Sequence, residues 1–404
     1  MMEPTVRFPE FKDSWNNYKI EDMFDRVGTP VDLDDTQTYR EIGIRSHGKG
    51  IFHKEETTAT EIGNKRVFWV EPDCFVVNIV FAWERAVAKT TEKENGMIAS
   101  HRFPMYKPKK DVVDLDYITE YFITKRGQNV LILASPGGAG RNKTLGQKEF
   151  AKSVVKLPSL PEQQKIAEFL SIIDTVIEKQ KETVSAWEER KKGVMQKLFS
   201  QEVRFKADDG SEFPDWEEKK LGDCCSLITK GTTPKEYPEN GDVNFVRIDC
   251  IENGSINISK CLKINEQIHN GELARSVLKE NDLLCSIAGA LGVVTVVTKD
   301  ILPANTNQAL AILRLYESEN VQYISKTLSS YIMEKYIREC KTVGAQPNLS
   351  LGQMRDLIIP YPCSDEQQKI ADCLSSLDEV IEKQKATLAA WKELKKGLLQ
   401  QMFV

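Results

Sequence analysis

The stretch that decides the fold is residues 161–199, PEQQKIAEFLSIIDTVIEKQKETVSAWEERKKGVMQKLF, because it returns as residues 365–403, DEQQKIADCLSSLDEVIEKQKATLAAWKELKKGLLQQMF. In each copy a seam of mostly apolar residues advances alternately by four and three positions, starting at Ile166 and Ile370. Steps that average about 3.5 residues keep one side of a helix on one partner. The pattern predicts two long helices that pair as a coiled coil.

Both seams are interrupted by polar residues at the same two places, Gln180 with Lys191 and Gln384 with Lys395. A polar residue on a seam lowers stability but fixes the register and the orientation of the partner. We therefore interpret these four residues as register positions of one matched, antiparallel pair. The alternative is two independent amphipathic helices, each docked on its own domain.

The midpoints of the two copies suggest a specific register, in which Gln180 faces Gln384. That register places Lys191 beside Asp372, and it places Lys395 beside Glu168. A partly buried lysine needs such a carboxylate. The alternative is that both lysines extend into water.

Length and composition indicate a multidomain protein of the ordinary globular class. The chain has 404 residues, of which 41% are hydrophobic and 28% charged, and this length exceeds a single ordinary core. No run of 18 apolar residues and no signal-like start is present, so we expect a cytoplasmic protein without a membrane contact. The nine cysteines contain no CxxC pair, and no histidines have metal-ligand spacing. We expect reduced thiols and no metal.

Each long helix follows a globular stretch, and the two stretches resemble each other weakly in the same order. GAGRNKTLGQ at 138–147 corresponds to GAQPNLSLGQ at 344–353, and the apolar runs 74–83 and 283–297 predict buried strands. The expected fold class is α+β, with two similar mixed α/β domains, two long helices forming an antiparallel coiled coil, and a pseudo-two-fold internal repeat. The predicted segments are a first domain at 1–156, a first helix at 157–200, a second domain at 201–360 and a second helix at 361–404.

The doubled EQQKIA, the IEKQK that follows it, the tryptophans Trp187 and Trp391, and the KKG near each helix end resemble the specificity subunit of type I restriction–modification systems. KGTTP at 230–234 is also similar to the family pattern. The similarity covers essentially the whole chain. The first domain departs from the pattern, because it carries GKGIFHK at 48–54 in place of GTTP, so the two domains are expected to read different half-sites.

The resemblance implies two target recognition domains, each of which reads one half of a split double-stranded DNA sequence. It further implies that the helices set the spacer between the halves and dock two methyltransferase subunits, with restriction and motor subunits joining for cleavage. This chain would bind no cofactor itself. The partner subunits would use S-adenosylmethionine, and they would use ATP with Mg for cleavage.

Catalytic motifs are missing from the sequence. A DNA methyltransferase needs a glycine-rich cofactor loop together with an Asn-Pro-Pro-aromatic or Pro-Cys catalytic motif, and the sequence does not contain this combination. The glycine-rich stretch 135–144 ends in Lys143 and Thr144, but Asn142 stands where a phosphate-binding loop requires glycine. We therefore expect a recognition and assembly subunit rather than an enzyme.

Candidate DNA-contacting residues are the basic, amide and hydroxyl side chains in loops that differ between the copies, because such groups bind base edges and phosphates. The net charge of −5 does not favour nucleic acid, but a whole-chain average does not exclude basic clefts. Two alternatives remain at this stage: a two-domain protein-binding scaffold, and an RNA-binding adaptor without DNA specificity. In the first domain the candidates are Arg45, His47, Lys49, His53, Lys54, Lys65, Arg66, Ser100, His101, Arg102, Arg141 and Asn142. In the second they are Lys230, Thr232, Thr233, Lys235, Arg247, Asn305, Asn307, Gln308, Gln346 and Asn348.

Overall fold

The computed structural model describes residues 4–136, 143–235, 241–252, 254–340 and 348–403. The chain divides into two compact units, the first comprising Met1–Lys181 with Ala386–Val404 and the second Glu182–Lys385. Each unit therefore combines one globular stretch with the beginning of one long helix and the end of the other. The boundaries drawn from the sequence instead treat each long helix as a segment of its own.

The first unit is built from short strands and helices that precede the first long helix. Its strands are β1 (Asn16–Lys19), β2 (Phe24–Val27), β3 (Thr38–Ile44), β4 (Ile51–Thr58), β5 (Val67–Trp69), β6 (Phe75–Val77), β7 (Val87–Lys89), β8 (Ile98–Ser100), β9 (Met105–Pro108) and β10 (Val154–Leu157). Its helices are α1 (Ile20–Met23), α2 (Ala59–Ile62), α3 (Leu115–Ile123), α4 (Lys125–Leu133), α5 (Gln147–Lys152) and the beginning of α6 (Leu160–Phe199).

Two four-stranded sheets form the globular part of the first unit, in the orders β4-β3-β8-β5 and β2-β9-β6-β7. Apolar side chains of both sheets, among them Ile42, Val76 and Met105, form a shared core cluster. β3 runs antiparallel to β4 and parallel to β8, whereas β5 runs antiparallel to β8. These directions decide which loops lie at the same end of the sheet.

The second unit repeats this organisation. Its strands are β11 (Glu217–Lys220), β12 (Cys225–Lys230), β13 (Val243–Val246), β14 (Ile251–Glu252), β15 (Ser255–Ile256), β16 (Leu262–Ile264), β17 (Leu283–Ser286), β18 (Val294–Val296), β19 (Ala304–Thr306), β20 (Leu310–Leu315) and β21 (Ile358–Tyr361). Its helices are the end of α6, α7 (Glu266–Asn270), α8 (Val321–Leu328), α9 (Tyr331–Cys340), α10 (Leu351–Asp356) and the beginning of α11 (Ser364–Met402), which ends in the first unit.

The sheets of the two units correspond strand by strand over most of their length. The four-stranded sheet β12-β20-β17-β18 matches β2-β9-β6-β7, and the sheet β16-β13-β19 matches the arrangement of β4, β3 and β8. As in the first unit, the central pair of the smaller sheet, β13 and β19, is parallel. The α+β class with two similar mixed domains and two long helices, predicted from the sequence, is confirmed.

The duplicated EQQKIA sequence forms the first turns of α6 and α11, and its residues anchor each helix to its unit. Arg7 donates from Nε and Nη2 to the two carboxylate oxygens of Glu162, at 2.7 and 2.8 Å. In the second unit Arg204 makes the same two-bond contact with Glu366, at 3.2 and 2.8 Å. Both carboxylates are almost completely buried, at 1% and 0% side-chain exposure. The planar guanidinium donates two parallel hydrogen bonds to the carboxylate, and this geometry is favoured for buried ion pairs.

The long helices pack against each other in opposite directions, as the seam predicts. In the second unit Lys191 of α6 pairs with Asp378 of α11, whereas the earlier residue Glu188 pairs with the later residue Lys385. The order of partners along α11 is thus the reverse of the order along α6. In the first unit the beginning of α6 and the end of α11 share one core cluster, which includes Ile173 and Met402.

The register predicted from the sequence is wrong at both seam lysines. Lys191 contacts Asp378 rather than Asp372, which is exposed and accepts a bond from Gln368 of its own helix. Likewise Lys395 contacts Asp174 at 2.8 Å rather than the exposed Glu168. Each partner lies six positions further along its helix, less than two helical turns. The predicted pairing of Gln180 with Gln384 joins residues of different units and stays a prediction.

The described helices include none that is long and apolar enough to span a membrane. The nine cysteines are all free thiols.

Candidate nucleic-acid interface

In the first unit the candidate loops lie at one end of the sheet β4-β3-β8-β5. The turn 45–50 follows β3, and residues 101 and 102 follow β8, which is parallel to β3. Residues 65 and 66 precede β5, which is antiparallel to β8 and pairs Val67 with Ser100. All three segments therefore lie at the carboxyl end of β3 and β8. Sequence reasoning placed these residues in separate loops, and the strand pairing brings the loops together.

The turn between β3 and β4 is held in a defined shape. Its peak is formed by His47 and Gly48 with φ of 62° and 66°, a left-handed conformation in which glycine is unstrained. The His47 N–H donates to the carbonyl of Glu84 at 2.7 Å. A Cβ on Gly48 would come within 2.7 Å of the Ile123 side chain, so this position requires glycine. The exposed side chains of Arg45, His47 and Lys49 project from a turn that α3 supports.

The opposite side of the same end carries a second basic group. His101 donates its N–H to the carbonyl of Arg66 at 3.0 Å, which joins the two loops. Lys65, Arg66, His101 and Arg102 are exposed, and within the described residues none of them forms an ion pair. Such side chains are available to phosphates or base edges. Ser100 lies beneath them at the end of β8 and is half-buried.

Two candidates on β4 are exposed, and each is bonded to a carboxylate of the protein. His53 Nε2 lies 2.8 Å from Glu94 Oε1, and Lys54 donates to Glu41 at 2.8 Å. Burial alone would raise the pKa of Glu94, but hydrogen bonds from His53 and Thr91 outweigh it and lower that pKa. The contacts show that both side chains support the sheet. Whether they also contact DNA stays a prediction.

In the second unit the candidates lie at the corresponding sheet end. Thr232, after β12, donates its N–H to the Thr306 carbonyl at the end of β19, at 2.9 Å. Thr233 hydrogen bonds to Gln308. A Cβ on Gly231 would lie 2.2 Å from the carbonyl oxygens of residues 306 and 307, which explains glycine in the KGTTP sequence. Exposed Lys230, Lys235 and Gln308 and the half-buried Asn307 surround this contact.

Arg247 lies at the same end, directly after β13. It is half-buried, and its Nη2 donates to Asp249 Oδ2 at 2.6 Å. Its Nε is buried and has no hydrogen-bond partner within the described part of the chain. The guanidinium is therefore only partly satisfied by the protein.

Asn305 is a correction to the predicted set, because its side chain is 0% exposed. Its Nδ2 donates to the Leu273 carbonyl at 2.9 Å, and its Oδ1 lies 2.5 Å from His269 Nδ1. A base contact by Asn305 would break these bonds, so we assign it a structural role. The residue belongs to β19, and all three residues of this strand are buried.

Sequence reasoning missed two residues at this end. His269 orients Asn305, and Arg275 donates from Nε to Thr232 Oγ1 at 2.8 Å while its side chain is exposed. Neither residue stands in a segment that pairs with the first copy, so comparison of the copies gave no signal. The basic residue in GELARS was the available hint.

Three candidates, Arg141, Asn142 and Gln346, lie outside the described residues. So does most of the glycine-rich stretch 135–144. Asn348 is described and exposed. Among the residues that the structure describes, no group of three or more His, Cys, Asp or Glu is arranged to hold a metal ion.

Comparison with known proteins identifies one family. Residues 12–185 and 214–390 match the type I restriction modification DNA specificity domain. The chain is 29% identical over 248 residues to the specificity subunit of the type I restriction enzyme MjaVIII of Methanocaldococcus jannaschii, covering 58% of each protein. It is 26% identical over 204 residues to the EcoBI specificity subunit of Escherichia coli, covering 47% of this chain and 41% of that protein. These alignments thus span about half of the relatives' own lengths.

Solved structures are similar over nearly the full length. The type I restriction-modification S subunit from M. genitalium matches with a TM-score of 0.55 and 16% identity, covering 100% of this chain and 99% of that one. A chain from a study of complex assembly and conformational transition of the type I R-M system gives a TM-score of 0.59 with 16% identity, covering 98% of both. At this identity the similarity concerns the fold.

Proposed function

Because the chain belongs to the family of type I restriction modification DNA specificity domains, we propose that it is the DNA-recognition subunit of a type I restriction–modification complex. Each globular stretch reads one half of a bipartite double-stranded target. The long helices set the number of base pairs between the halves and dock two methyltransferase subunits. Restriction and motor subunits join this assembly for cleavage.

The observation that carries the proposal is the equivalent placement of donor groups in the two units. In the first unit Lys65, Arg66, His101 and Arg102 lie beyond the carboxyl end of a parallel strand pair. In the second unit Arg247 and Gln308 lie beyond the carboxyl end of the corresponding pair. The position is shared but the residue types differ. One scaffold that presents different side chains at one place suits two readers of different half-sites.

The chemistry of these residues suits base edges and phosphates. Arginine donates two parallel bonds to guanine O6 and N7, and amide side chains pair with adenine in the same groove. The exposed lysines and His101 supply phosphate contacts, which fix the position of the duplex. No nucleophile, general base or metal ligand is required for such reading. We therefore propose that the chain is not itself a catalyst and binds no cofactor.

The chemistry of the complex would then belong to its partners. Methyl transfer requires S-adenosylmethionine on the methyltransferase subunits, and cleavage requires ATP with Mg on the motor subunits. We infer this division of roles from the family to which the chain belongs. We expect the assembly to act on DNA in the cytoplasm.

A binding experiment tests the proposal. The full chain is combined with its cognate methyltransferase subunit, and gel shifts are recorded with duplex DNA that carries the motif methylated by the system. The double variant Arg66→Ala/Arg102→Ala should weaken binding by at least about tenfold, since a specific arginine contact contributes about 1–3 kcal/mol. The methylated motif should relax in one half only.

The control is Arg40→Ala, which removes an exposed arginine from the opposite end of the same sheet, where it pairs with Glu56. Its affinity should match that of the wild type. Equal losses in the control and the double variant would contradict the assigned surface. Stronger binding to RNA of the same sequence, or no nucleic-acid binding with the partner present, would favour the RNA adaptor or the protein scaffold instead.

A further inference from the structure

Each unit contains a cluster of three charged residues where a helix of the globular stretch packs on the long helix pair. In the first unit the centre is Lys395 of α11. Its Nζ lies 2.8 Å from Asp174 Oδ1 of α6 and 3.1 Å from Glu120 Oε1 of α3. The cluster thus holds one cation between two carboxylates, one from the partner helix and one from the globular stretch.

The second unit has a cluster of the same construction and the opposite charge. Its centre is Asp378 of α11, which accepts bonds from Lys191 of α6 and Lys326 of α8, both at 2.5 Å. Here one carboxylate lies between two cations. The residue contributed by the globular stretch is again on the helix that packs against the long pair.

The internal repeat shows that these clusters occupy corresponding positions. When the two copies of the long helix are aligned, the aspartates of the two clusters fall at the same position, and so do the lysines. The helices α3 and α8 align through the Tyr-Ile sequence that both contain. The correspondences are Asp174 with Asp378, Lys191 with Lys395, and Glu120 with Lys326. The aspartate–lysine pair is therefore identical in both units, while the third residue changes sign.

We infer that each aspartate–lysine pair of the long helices is a docking seat that accepts a recognition domain carrying either an acidic or a basic side chain at this position. The partner that fits is an exchanged recognition domain whose packing helix carries Glu, Asp, Lys or Arg at the position of Glu120 in α3 or Lys326 in α8. The inference rests on the proposed function, because it treats each globular stretch as a recognition domain.

Electrostatics explain why both signs are accepted. The cluster side chains are partly buried, with exposures of 19% for Lys395 and Glu120 and 15% for Lys326, so an unmatched charge there is unfavourable. An acidic third residue binds the lysine of the seat, and a basic one binds the aspartate. Consistent with this, burial would lower the pKa of Lys395, but Glu120 and Asp174 raise it. Burial would raise the pKa of Asp378, but hydrogen bonds from the two lysines lower it.

The charge of the residue from the globular helix, Glu120 or Lys326, should decide whether the aspartate or the lysine of the seat is needed for stability. In the first unit Glu120 can keep Lys395 paired when Asp174 is removed. In the second unit removal of Asp378 leaves two lysines together without a carboxylate. The same substitution of the repeated aspartate is therefore expected to have different effects in the two units.

The test combines removal of the aspartate with reversal of the third charge in the full-length chain. Asp174→Ala should lower Tm by less than about 2 °C in the wild type and by more than about 4 °C in the Glu120→Lys background. For Asp378→Ala we expect the reverse: the decrease in Tm should be larger in the wild type and smaller in the Lys326→Glu background. Hydrogen exchange in α3 and α8 reports each unit separately.

The single reversals Glu120→Lys and Lys326→Glu serve as controls, because each gives its unit the charge composition of the other. Both should fold with Tm within about 2 °C of the wild type. A loss for Asp174→Ala or Asp378→Ala that does not depend on the background would overturn the inference, and so would unfolding of either single reversal. None of these measurements involves DNA. The docking seat and the proposed DNA recognition can therefore fail independently.

Discussion

At the scale of single residues, the first turn of each long helix depends on one arginine. Arg204 reaches Glu366 with two nitrogens, and Trp216 Nε1 donates to the same carboxylate at 2.8 Å. The hydrogen bonds to Glu366 raise the pKa of the already basic Arg204. In the first unit Gln163, and in the second Gln367, donate to the carbonyls of Pro158 and Pro362, at 3.0 and 2.8 Å. The duplicated Glu-Gln therefore has a structural explanation in both copies.

We expect Arg204→Ala to lower the free energy of unfolding by about 3–5 kcal/mol, because it leaves the completely buried Glu366 without its cation. Chemical denaturation of the full chain measures this loss. The matched control is Lys206→Ala, which removes an ion pair with Glu212 whose side chains are 60% and 67% exposed. The control should lose less than about 1 kcal/mol. Similar losses for the two variants would show that the arginine is not the anchor.

Glu120 gives a prediction about pH. Burial raises its pKa above the ordinary 4.5, although Lys395 opposes the shift, and Asp174 and Asp116 add to it. A carboxyl with a raised folded pKa contributes stability below the unfolded pKa, and that contribution is lost as the pH rises through the folded value. Glu120→Gln removes this titration. Relative to the wild type, the variant should therefore gain Tm as the pH rises above the ordinary carboxyl value of 4.5, and parallel curves for the two proteins would contradict the assignment.

At the scale of elements, the sequence predicts the long helices well and their contacts poorly. The apolar seam is a local pattern, and the helices occupy Leu160–Phe199 and Ser364–Met402, within the predicted segments 157–200 and 361–404. The partners of the seam lysines could not be found in this way. They depend also on Glu120 and Lys326, which belong to globular helices far away in the sequence.

The strands show the same limit. The apolar run 283–297 predicts buried strand structure without saying how many strands form, and in the structure it forms two, β17 and β18, which pair with each other. The chain reverses through Gly289 and Gly292, with φ of 76° and 79°. Hydrophobicity alone does not reveal such a reversal, whereas glycine in positive φ permits it. For the site, loop composition identified most of the exposed donors, but it also selected Asn305, because burial in β19 leaves no local signature.

The division into units indicates where the long helices can be extended without changing either unit. We expect a heptad inserted in both helices, between Lys181 and Glu182 and between Lys385 and Ala386, to preserve the contacts within each unit. It adds about 10 Å of helix, or about three base pairs of duplex. Methylome sequencing of a host with the complete system should show a spacer longer by about three base pairs. An insertion in α6 alone is the control and should destabilise the chain, and an unchanged spacer with the double insertion would refute the role of the helices.

At the scale of the whole molecule, the last residues of the chain belong to the first unit, although they follow the second unit in the sequence. The last residues of α11 belong to the first unit, where Met402 and Phe403 are 2% exposed. The Phe403 ring lies 5.0 Å from the ring of Tyr117, and the N–H of Thr5 donates to the carbonyl of Gln401 at 2.9 Å. The internal repeat could be read from the sequence, but this exchange of helix ends could not, because it requires the antiparallel pairing to be known.

Residues 386–404 follow the second unit in the sequence but belong to the first. Their removal should therefore destabilise the first unit rather than the second. The truncation uncovers the apolar face of α3 around Tyr117 and leaves Ile173 of α6 without its partners from α11. Amide exchange in α3 should accelerate by at least about tenfold, since local opening follows the loss of buried apolar contacts. Exchange in β17 and β20 of the second unit should change little. Phe403→Ala in the full-length chain is the milder control, and it should accelerate amide exchange in α3 less than the truncation does. If the truncation instead left α3 protected and opened β17 and β20, the assignment of the last helix turns to the first unit would be wrong.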